Sequence, residues 1–208
     1  MTSPDWSATS DDYARHRQGF PPRFFELIAR EGLFAPAMRV LDLGTGTGVL
    51  ARALAARGGD VLGLDPAPGQ VAAARRLAAA QQLPVRFEEG LAERTGQPDS
   101  AFDLVVAAQA WHWFARMDRG TGFYPGWAAD LELAGFARLA FAGFDHDALY
   151  PRADWLGRIR ASAGVGGALD AGAVARFEAE LAVLLAARFL AEPLVVPHRV
   201  FAIWAFRD

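Results

Sequence analysis

Apolar and polar positions along the chain predict helices and strands in turn from about residue 22 onward. Short unbroken apolar runs are typical of strands buried on both faces, and stretches rich in Ala, Leu and Arg favour helices. In the first half this pattern predicts strands at residues 40–43, 60–65, 85–89 and 102–108, and helices at 22–31, 49–57 and 70–82. Because the strands alternate with helices, we predict an α/β fold with a doubly wound, mostly parallel sheet.

The pattern is less regular after residue 114. Helices are predicted at residues 127–133, 151–163 and 173–190, and strands at 136–144 and 194–206. Two of these helices lie between the two late strands, which predicts a small helical cap inserted before the last strand. With 208 residues the chain is long enough to bury a core, and we expect a single domain, 1–208.

An acid and alternating glycines follow the first predicted strand. Asp42 stands near its carboxyl end, and Gly44, Thr45, Gly46 and Gly48 come next. Glycine allows a sharp turn and lets a ligand approach bare N–H groups, and ligands of open α/β sheets bind at the carboxyl ends of strands. The spacing G-x-G-x-G differs from the G-x-G-x-x-G of dinucleotide sites. We predict a nucleotide-type cofactor loop, with a plain strand-to-helix turn as the alternative.

Polar residues also follow the second and third predicted strands. Asp65 ends the second strand about twenty residues after the loop, where a carboxylate can accept both hydroxyls of a ribose. Ala92 and Glu93 come just after the third strand, at the same predicted edge of the sheet. The alternatives are a solvated turn for Asp65 and an ordinary helix surface for Ala92 and Glu93.

Aromatic residues follow the fourth predicted strand. Gln109, Trp111, His112 and Trp113 lie where a cofactor and a substrate would meet, beside the topological switch point of the sheet. Aromatic rings there can stack on a substrate or approach a cation. His112 is the candidate for proton transfer, because histidine titrates near neutral pH. The alternatives are core packing for the rings and a capped turn for His112.

The run Asp-Leu-Gly-Thr-Gly-Thr-Gly at residues 42–48 resembles motif I of the class I S-adenosylmethionine-dependent methyltransferases, which have a Rossmann-like fold. The resemblance implies that the loop packs against the methionine part of S-adenosyl-L-methionine, with Asp42 near its amino group. It also implies that Asp65 holds the ribose and that Ala92 and Glu93 meet the adenine. The implied cofactor-binding set is Asp42, Gly44, Thr45, Gly46, Gly48, Asp65, Ala92, Glu93 and Gln109.

The stretch Gln-Ala-x-His-Trp-Phe at residues 109–114 resembles a small-molecule branch of that family, the methyltransferase type 11-like branch. The implied catalytic residues are His112 and Gln109, and the implied substrate-binding residues are Tyr13, Trp111 and Trp113. Tyr124, in the loop of residues 122–127, is predicted to form part of an aromatic wall of the substrate pocket, with core packing as the alternative. Tyr13 lies in a lead-in that often covers the cofactor in this branch, with a basic solvated arm as the alternative. The resemblance divides the chain into an N-terminal cover (1–34), a cofactor-binding half (35–114) and a substrate and cap half (115–208).

The chain departs from the resembled family after the fourth strand. Relatives have a helix, a Leu-x-Pro-Gly-Gly turn and a fifth strand there, whereas residues 115–120 contain no Pro-Gly-Gly and no apolar strand. About 30 to 40 residues, roughly one helix and one strand at ordinary lengths, are lacking. Either the segment was lost, or residues were omitted and the remainder renumbered.

Composition narrows the classes of partner. The formal net charge of −3 offers no broad attraction to nucleic acid, and the absence of cysteine excludes disulfides, thiolate catalysis and Cys-ligated metals. The four histidines are scattered, so no metal site is predicted. The polar, acidic start differs from a signal peptide, and no apolar run is long enough for a bilayer. We expect a cytoplasmic monomer or homodimer with no nucleic-acid or membrane partner.

The predicted function is methyl transfer from S-adenosyl-L-methionine to a small-molecule acceptor, which leaves S-adenosylhomocysteine. One alternative is a cofactor-binding, catalytically impaired module, which the lacking strand favours. Another is a nicotinamide-dependent oxidoreductase. The glycine spacing and the lack of a Tyr-x-x-x-Lys pair argue against the oxidoreductase.

Overall fold

The computed structural model describes residues 12, 15, 16, 18–110, 125–162 and 164–207. Its helices are α1 (Pro22–Arg30), α2 (Val49–Ala55), α3 (Pro68–Ala80), α4 (Pro125–Leu133), α5 (Arg152–Arg160) and α6 (Ala171–Arg188). Its strands are β1 (Arg39–Leu43), β2 (Asp60–Asp65), β3 (Val85–Glu89), β4 (Leu104–Val106), β5 (Ala137–Tyr150) and β6 (Leu194–Phe206). Helix and strand alternate through the first half, as the sequence pattern predicts.

The first four strands form a parallel sheet in the order β3-β2-β1-β4. Arg39 to Leu43 pair with Asp60 to Leu64, so the carboxyl ends of β1 and β2 lie side by side. The order reverses direction between β1 and β4, because the chain first adds strands on one side of β1 and then crosses to the other. The predicted α/β fold with a mostly parallel, Rossmann-like sheet is confirmed.

Both faces of this sheet are buried by apolar side chains. Val40 and Val61 are fully buried against Leu54 of α2 and Val71 of α3. Leu41, Leu62 and Leu64 occupy the other face, with Phe102 packed against them. Each such side chain contributes about 1.5–3 kcal/mol on burial, so the core holds the strand ends in fixed positions.

The sheet ends at β4, which has only three residues and pairs with β1. Val105 of β4 is 55% exposed. Among the described residues no strand pairs with the outer edge of β4, which agrees with the predicted lack of a fifth strand in this sheet. The chain path between residues 114 and 120 lies outside the described residues, so both explanations for the lacking segment stay open.

The two late strands pair with each other rather than with the main sheet. β5 and β6 are antiparallel from Tyr150 opposite Leu194 to Ala137 opposite Phe206. Helices α5 and α6 lie between them in the chain and pack on one end of this hairpin, where Tyr150, Leu194 and Leu185 are buried. The predicted helices between two late strands are therefore present. No helix in the described part of the chain has the length and apolar character needed to cross a membrane.

Several element bounds differ from those predicted, for local reasons. Helix α3 begins at Pro68, because proline is tolerated in the first turn of a helix, where its missing N–H costs nothing. Strand β5 runs to Tyr150, six residues beyond the prediction of 136–144, because β6 pairs with it along that whole length. Strand β4 is shorter than the predicted 102–108.

Candidate functional site

The glycine loop connects the carboxyl end of β1 to helix α2. Gly44, Gly46 and Gly48 have φ angles of 64°, 56° and 75°, in the left-handed region that residues with a side chain rarely adopt. Gly48 is also the N-cap residue of α2. The Thr45 N–H donates to the carbonyl of Leu64 at 2.9 Å, which ties the loop to β2. The glycines therefore fold a tight loop over the ends of β1 and β2.

Asp42 is a buried carboxylate beneath this loop. It is 2% exposed, and the hydroxyl of Thr45 donates to its Oδ2 at 2.7 Å. Burial raises the pKa of Asp42 to about 7, and the negative charge of Asp65 adds to the rise, while hydrogen bonds from Thr45 and the Ala51 backbone oppose it. A carboxylate in this environment gains stability when a cation comes close to it.

Asp65 holds the loop from the adjoining strand. Its Oδ2 accepts a hydrogen bond from the N–H of Gly46 at 2.9 Å, and its Oδ1 accepts one from the N–H of Ala67 at 2.9 Å. Burial raises the pKa of Asp65, and the two backbone hydrogen bonds oppose that rise. Each carboxylate oxygen keeps acceptor capacity beyond its one backbone bond, so the group can also accept from two hydroxyls.

Close packing beneath the loop depends on Gly63 of β2. A Cβ at Gly63 would lie 2.7 Å from the Thr45 hydroxyl and 2.7 Å from Cδ1 of Phe87. The Phe87 ring also reaches under Gly48, where a Cβ would lie 2.6 Å from its Cζ. Sequence reasoning missed this contact, although a lone glycine inside an apolar strand is the ordinary sign of a close approach.

A narrow cleft opens beside the loop, with a volume of about 40 Å³. Asp42 of β1 and Gly44 and Thr45 of the glycine loop line it, and Gln109 and Phe20 line it from irregular segments. Gln109 has a φ of 56° and is exposed. The fold thus brings together residues that the sequence analysis selected from two separate motifs.

Ala92 and Glu93 lie at the same edge of the sheet. They form the centre of a turn closed by a bridge between Leu91 and Arg94. The N–H of Gly90 donates to the backbone carbonyl of Asp65 at 3.2 Å, so this turn adjoins the end of β2. Glu93 is exposed and Ala92 is half-buried.

The remaining predicted site residues lie outside the described residues. They are Tyr13, Trp111, His112, Trp113 and Tyr124. Their predicted roles in catalysis and in acceptor binding stay predictions. Within the described ranges, no group of three His, Cys, Asp or Glu side chains is arranged to hold a metal ion.

Comparison with known proteins finds a family that the glycine-loop edge of the sheet matches. The family described as "Methyltransferase domain" matches residues 40–124, which include the glycine loop, Asp65, Ala92, Glu93 and Gln109. Residues 40–124 thus match the methyltransferase domain family. Over these residues the predicted resemblance to S-adenosylmethionine-dependent methyltransferases is confirmed, and with it the cofactor at the level of the family.

Curated relatives agree with this assignment. The methyltransferase domain is similar to an uncharacterized methyltransferase of Mycobacterium tuberculosis, at 42% identity over 101 residues, which cover 49% of this chain and 38% of the relative. It is also similar to a demethylmenaquinone methyltransferase of Thermus thermophilus, at 46% identity over 86 residues, 40% of this chain and 39% of the relative. The matched part thus spans about two fifths of each relative.

One solved structure extends the likeness beyond the methyltransferase domain. The crystal structure of the YcgJ protein from Bacillus subtilis superposes with a TM-score of 0.57 at 17% sequence identity. The match covers 89% of this chain and 99% of that one. At this identity the likeness shows the fold alone.

Proposed function

We propose that this protein transfers a methyl group from S-adenosyl-L-methionine to a small-molecule acceptor and releases S-adenosylhomocysteine. The observation that carries the proposal is the pair of buried carboxylates, Asp42 and Asp65, that flank one glycine loop within a methyltransferase domain. A ligand that fits this pair has a cationic group and a diol. S-adenosylmethionine has both, in its amino group and its ribose.

The residues of the loop have the chemistry to hold this cofactor. Asp65 would accept the ribose hydroxyls with the lone pairs that its backbone bonds leave free. Asp42 would balance the charge of the amino group, since burial makes its isolated negative charge unfavourable. Ala92 and Glu93, one strand further along the same edge, would meet the adenine.

Methyl transfer needs little acid–base chemistry from the protein. When bound, the cofactor supplies an activated methyl group, so positioning and exclusion of water provide much of the rate enhancement. Gln109 lies at the cleft and would orient the reactants there. His112 would accept a proton from acceptors that must lose one, and Tyr13, Trp111, Trp113 and Tyr124 would bind the acceptor.

Relatives support a small-molecule acceptor. Demethylmenaquinone methyltransferases and a ubiquinone biosynthesis O-methyltransferase, named for reactions on small molecules, are among the proteins that the chain resembles. We further propose that this protein acts in the cytoplasm as a monomer or homodimer, without a nucleic-acid partner. A cofactor-binding module without turnover is the second candidate, favoured by the sheet that ends at β4 in the described part of the chain.

Calorimetry on the purified protein tests the proposal. S-adenosylhomocysteine and S-adenosylmethionine should bind and NAD should not. Asp65→Asn should weaken binding at least tenfold, because it removes acceptor capacity where the ribose would lie. Asp60→Asn is the matched control, since Asp60 is an exposed residue at the opposite end of the same strand.

Turnover on a panel of small acceptors separates the two candidates. Release of S-adenosylhomocysteine that depends on an acceptor supports the enzyme. Tight cofactor binding without transfer to any acceptor supports the module. Preferential binding of NAD would exclude both.

A further inference from the structure

The described residues around the cofactor cleft enclose little space for the ligand that we assign to it. The cleft has a volume of about 40 Å³, whereas ligand sites measure about 300–1,000 Å³. A wall that yields would therefore ease the entry and release of the cofactor. This step rests on the proposed function, and it concerns Phe20, one of the residues that line the cleft.

Phe20 forms part of the cleft wall. Asp42 and Thr45, which also line the cleft, are buried and hydrogen-bonded to each other, and the glycine loop is tied to β2. Phe20 belongs to residues 18–20, which form neither helix nor strand, and its ring contacts Phe24 of α1 at a centroid distance of 5.0 Å. Its position depends on what holds the chain that precedes it.

That chain is fastened to the cap at Asp12. The Arg160 side chain, at the end of α5, donates from Nε to Asp12 Oδ2 at 2.5 Å and from Nη2 to Oδ1 at 2.7 Å. The same guanidinium donates from Nη1 to Glu178 of α6 at 2.6 Å. The Arg160 guanidinium holds the pKa of Asp12 below its ordinary value. Both partners are about 30% exposed, so water screens this fork less than it screens a fully exposed pair.

Further contacts continue from Asp12 towards Phe20. His16 Nδ1 lies 3.0 Å from Oδ1 of Asp154, and its ring lies so close to Gly157 that a Cβ there would come within 2.1 Å. The side-chain amide of Gln18 donates to the backbone carbonyl of Leu149. We call residues 12, 15, 16 and 18–20 the N-terminal strap.

We propose that Arg160 is a positioning residue, which holds Phe20 at the cofactor cleft through the N-terminal strap and so limits how fast the cofactor enters and leaves. Arg160 touches neither the cleft nor the glycine loop. It acts by fixing the start of the strap to α5 while Phe20, at its other end, forms part of the cleft wall. Release of that anchor should make opening easier without removing any group that binds the cofactor.

Stopped-flow measurement of S-adenosylhomocysteine binding tests this proposal. Arg160→Gln and Asp12→Asn should each raise both the association and the dissociation rate constants about five- to tenfold, with a smaller change in affinity. Arg199→Gln is the matched control. It removes a similar two-point ion pair, between Arg199 and Asp145 on the hairpin, with N–O distances of 2.7 and 3.1 Å. That ion pair does not involve the strap. The rate constants of Arg199→Gln should stay within about twofold of those of the unaltered protein.

A double mutant identifies the route of the effect. If Arg160 acts through Phe20, Arg160→Gln should have little further effect on the rates in a Phe20→Ala background. Additive effects, or rates in Arg160→Gln equal to those in Arg199→Gln, would overturn the proposal. A fall in affinity with an unchanged or slower dissociation rate would do the same, since damage to the fold rather than a released strap produces that result.

Limited proteolysis in the absence of ligand tests the anchor at Arg160 independently of the proposed function. Arg15 is exposed and lies between the anchors at Asp12 and His16. Tryptic cleavage after Arg15 should be at least fivefold faster in Arg160→Gln than in Arg199→Gln. Faster cleavage in a protein that binds no S-adenosylhomocysteine would reject the proposed function and retain the anchor. Unchanged cleavage would reject the anchor.

Discussion

The buried carboxylate of Asp42 should make this protein less stable as the pH rises. Its pKa is about 7 in the folded protein, against 3.8 for an ordinary aspartate. Between about pH 4 and pH 7 the folded state therefore binds more protons than the unfolded state, so the free energy of unfolding falls as the pH increases through that window. From pH 5 to pH 8 the loss due to Asp42 is about 2–3 kcal/mol.

Urea unfolding at pH 5 and pH 8 measures this loss. Between these two pH values the unaltered protein should lose about 2–3 kcal/mol more of its free energy of unfolding than Asp42→Asn does. The comparison between pH values cancels the fixed cost of placing an amide beside the Thr45 hydroxyl and the Ala51 backbone. Asp60→Asn removes an exposed carboxylate from β2 and should leave the pH dependence unchanged.

The same substitution should act in the opposite direction on the ligand. Asp42→Asn would leave the cationic amino group of the cofactor without a charged partner, so the affinity for S-adenosylhomocysteine at pH 8 should fall at least tenfold. Stability and binding are thus opposed at this position, as is common where function needs an unfavourable group. Equal pH dependence in Asp42→Asn and the unaltered protein would refute the buried-charge reasoning.

Two further predictions concern packing at the loop. Gly63→Ala should destabilise the protein by about 1–3 kcal/mol and weaken cofactor binding, because its Cβ would meet Thr45 and Phe87 at 2.7 Å. Gly143→Ala is the control, because a Cβ there would lie 3.5 Å from its nearest neighbour in another strand. It should change the free energy of unfolding by less than about 1 kcal/mol. Equal effects at the two positions would contradict the steric argument. Thr47→Val should raise the free energy of unfolding by about 1 kcal/mol in urea titrations, because the fully buried Thr47 hydroxyl has no hydrogen-bond partner among the described residues. A loss of stability in that variant would indicate that the hydroxyl has a partner.

The glycine loop and its place at the edge of the sheet could be predicted from sequence because their signals are local. Asp42, the alternating glycines and Asp65 each stand next to an apolar run, and parallel strands bring their carboxyl ends to one edge. The left-handed φ angles at Gly44, Gly46 and Gly48 follow from the same short stretch. Periodicity and glycine spacing were therefore sufficient for the sheet and for the loop.

Other features are decided only by tertiary structure, because they join residues far apart in the chain. The pKa of Asp42 depends on burial by neighbouring elements, and the need for glycine at position 63 depends on Phe87 from another strand. Pairing of β5 with β6 joins two strands that are separated in the chain by α5 and α6. The fork between Arg160 and Asp12 spans 148 residues, and no pattern within either segment specifies that contact.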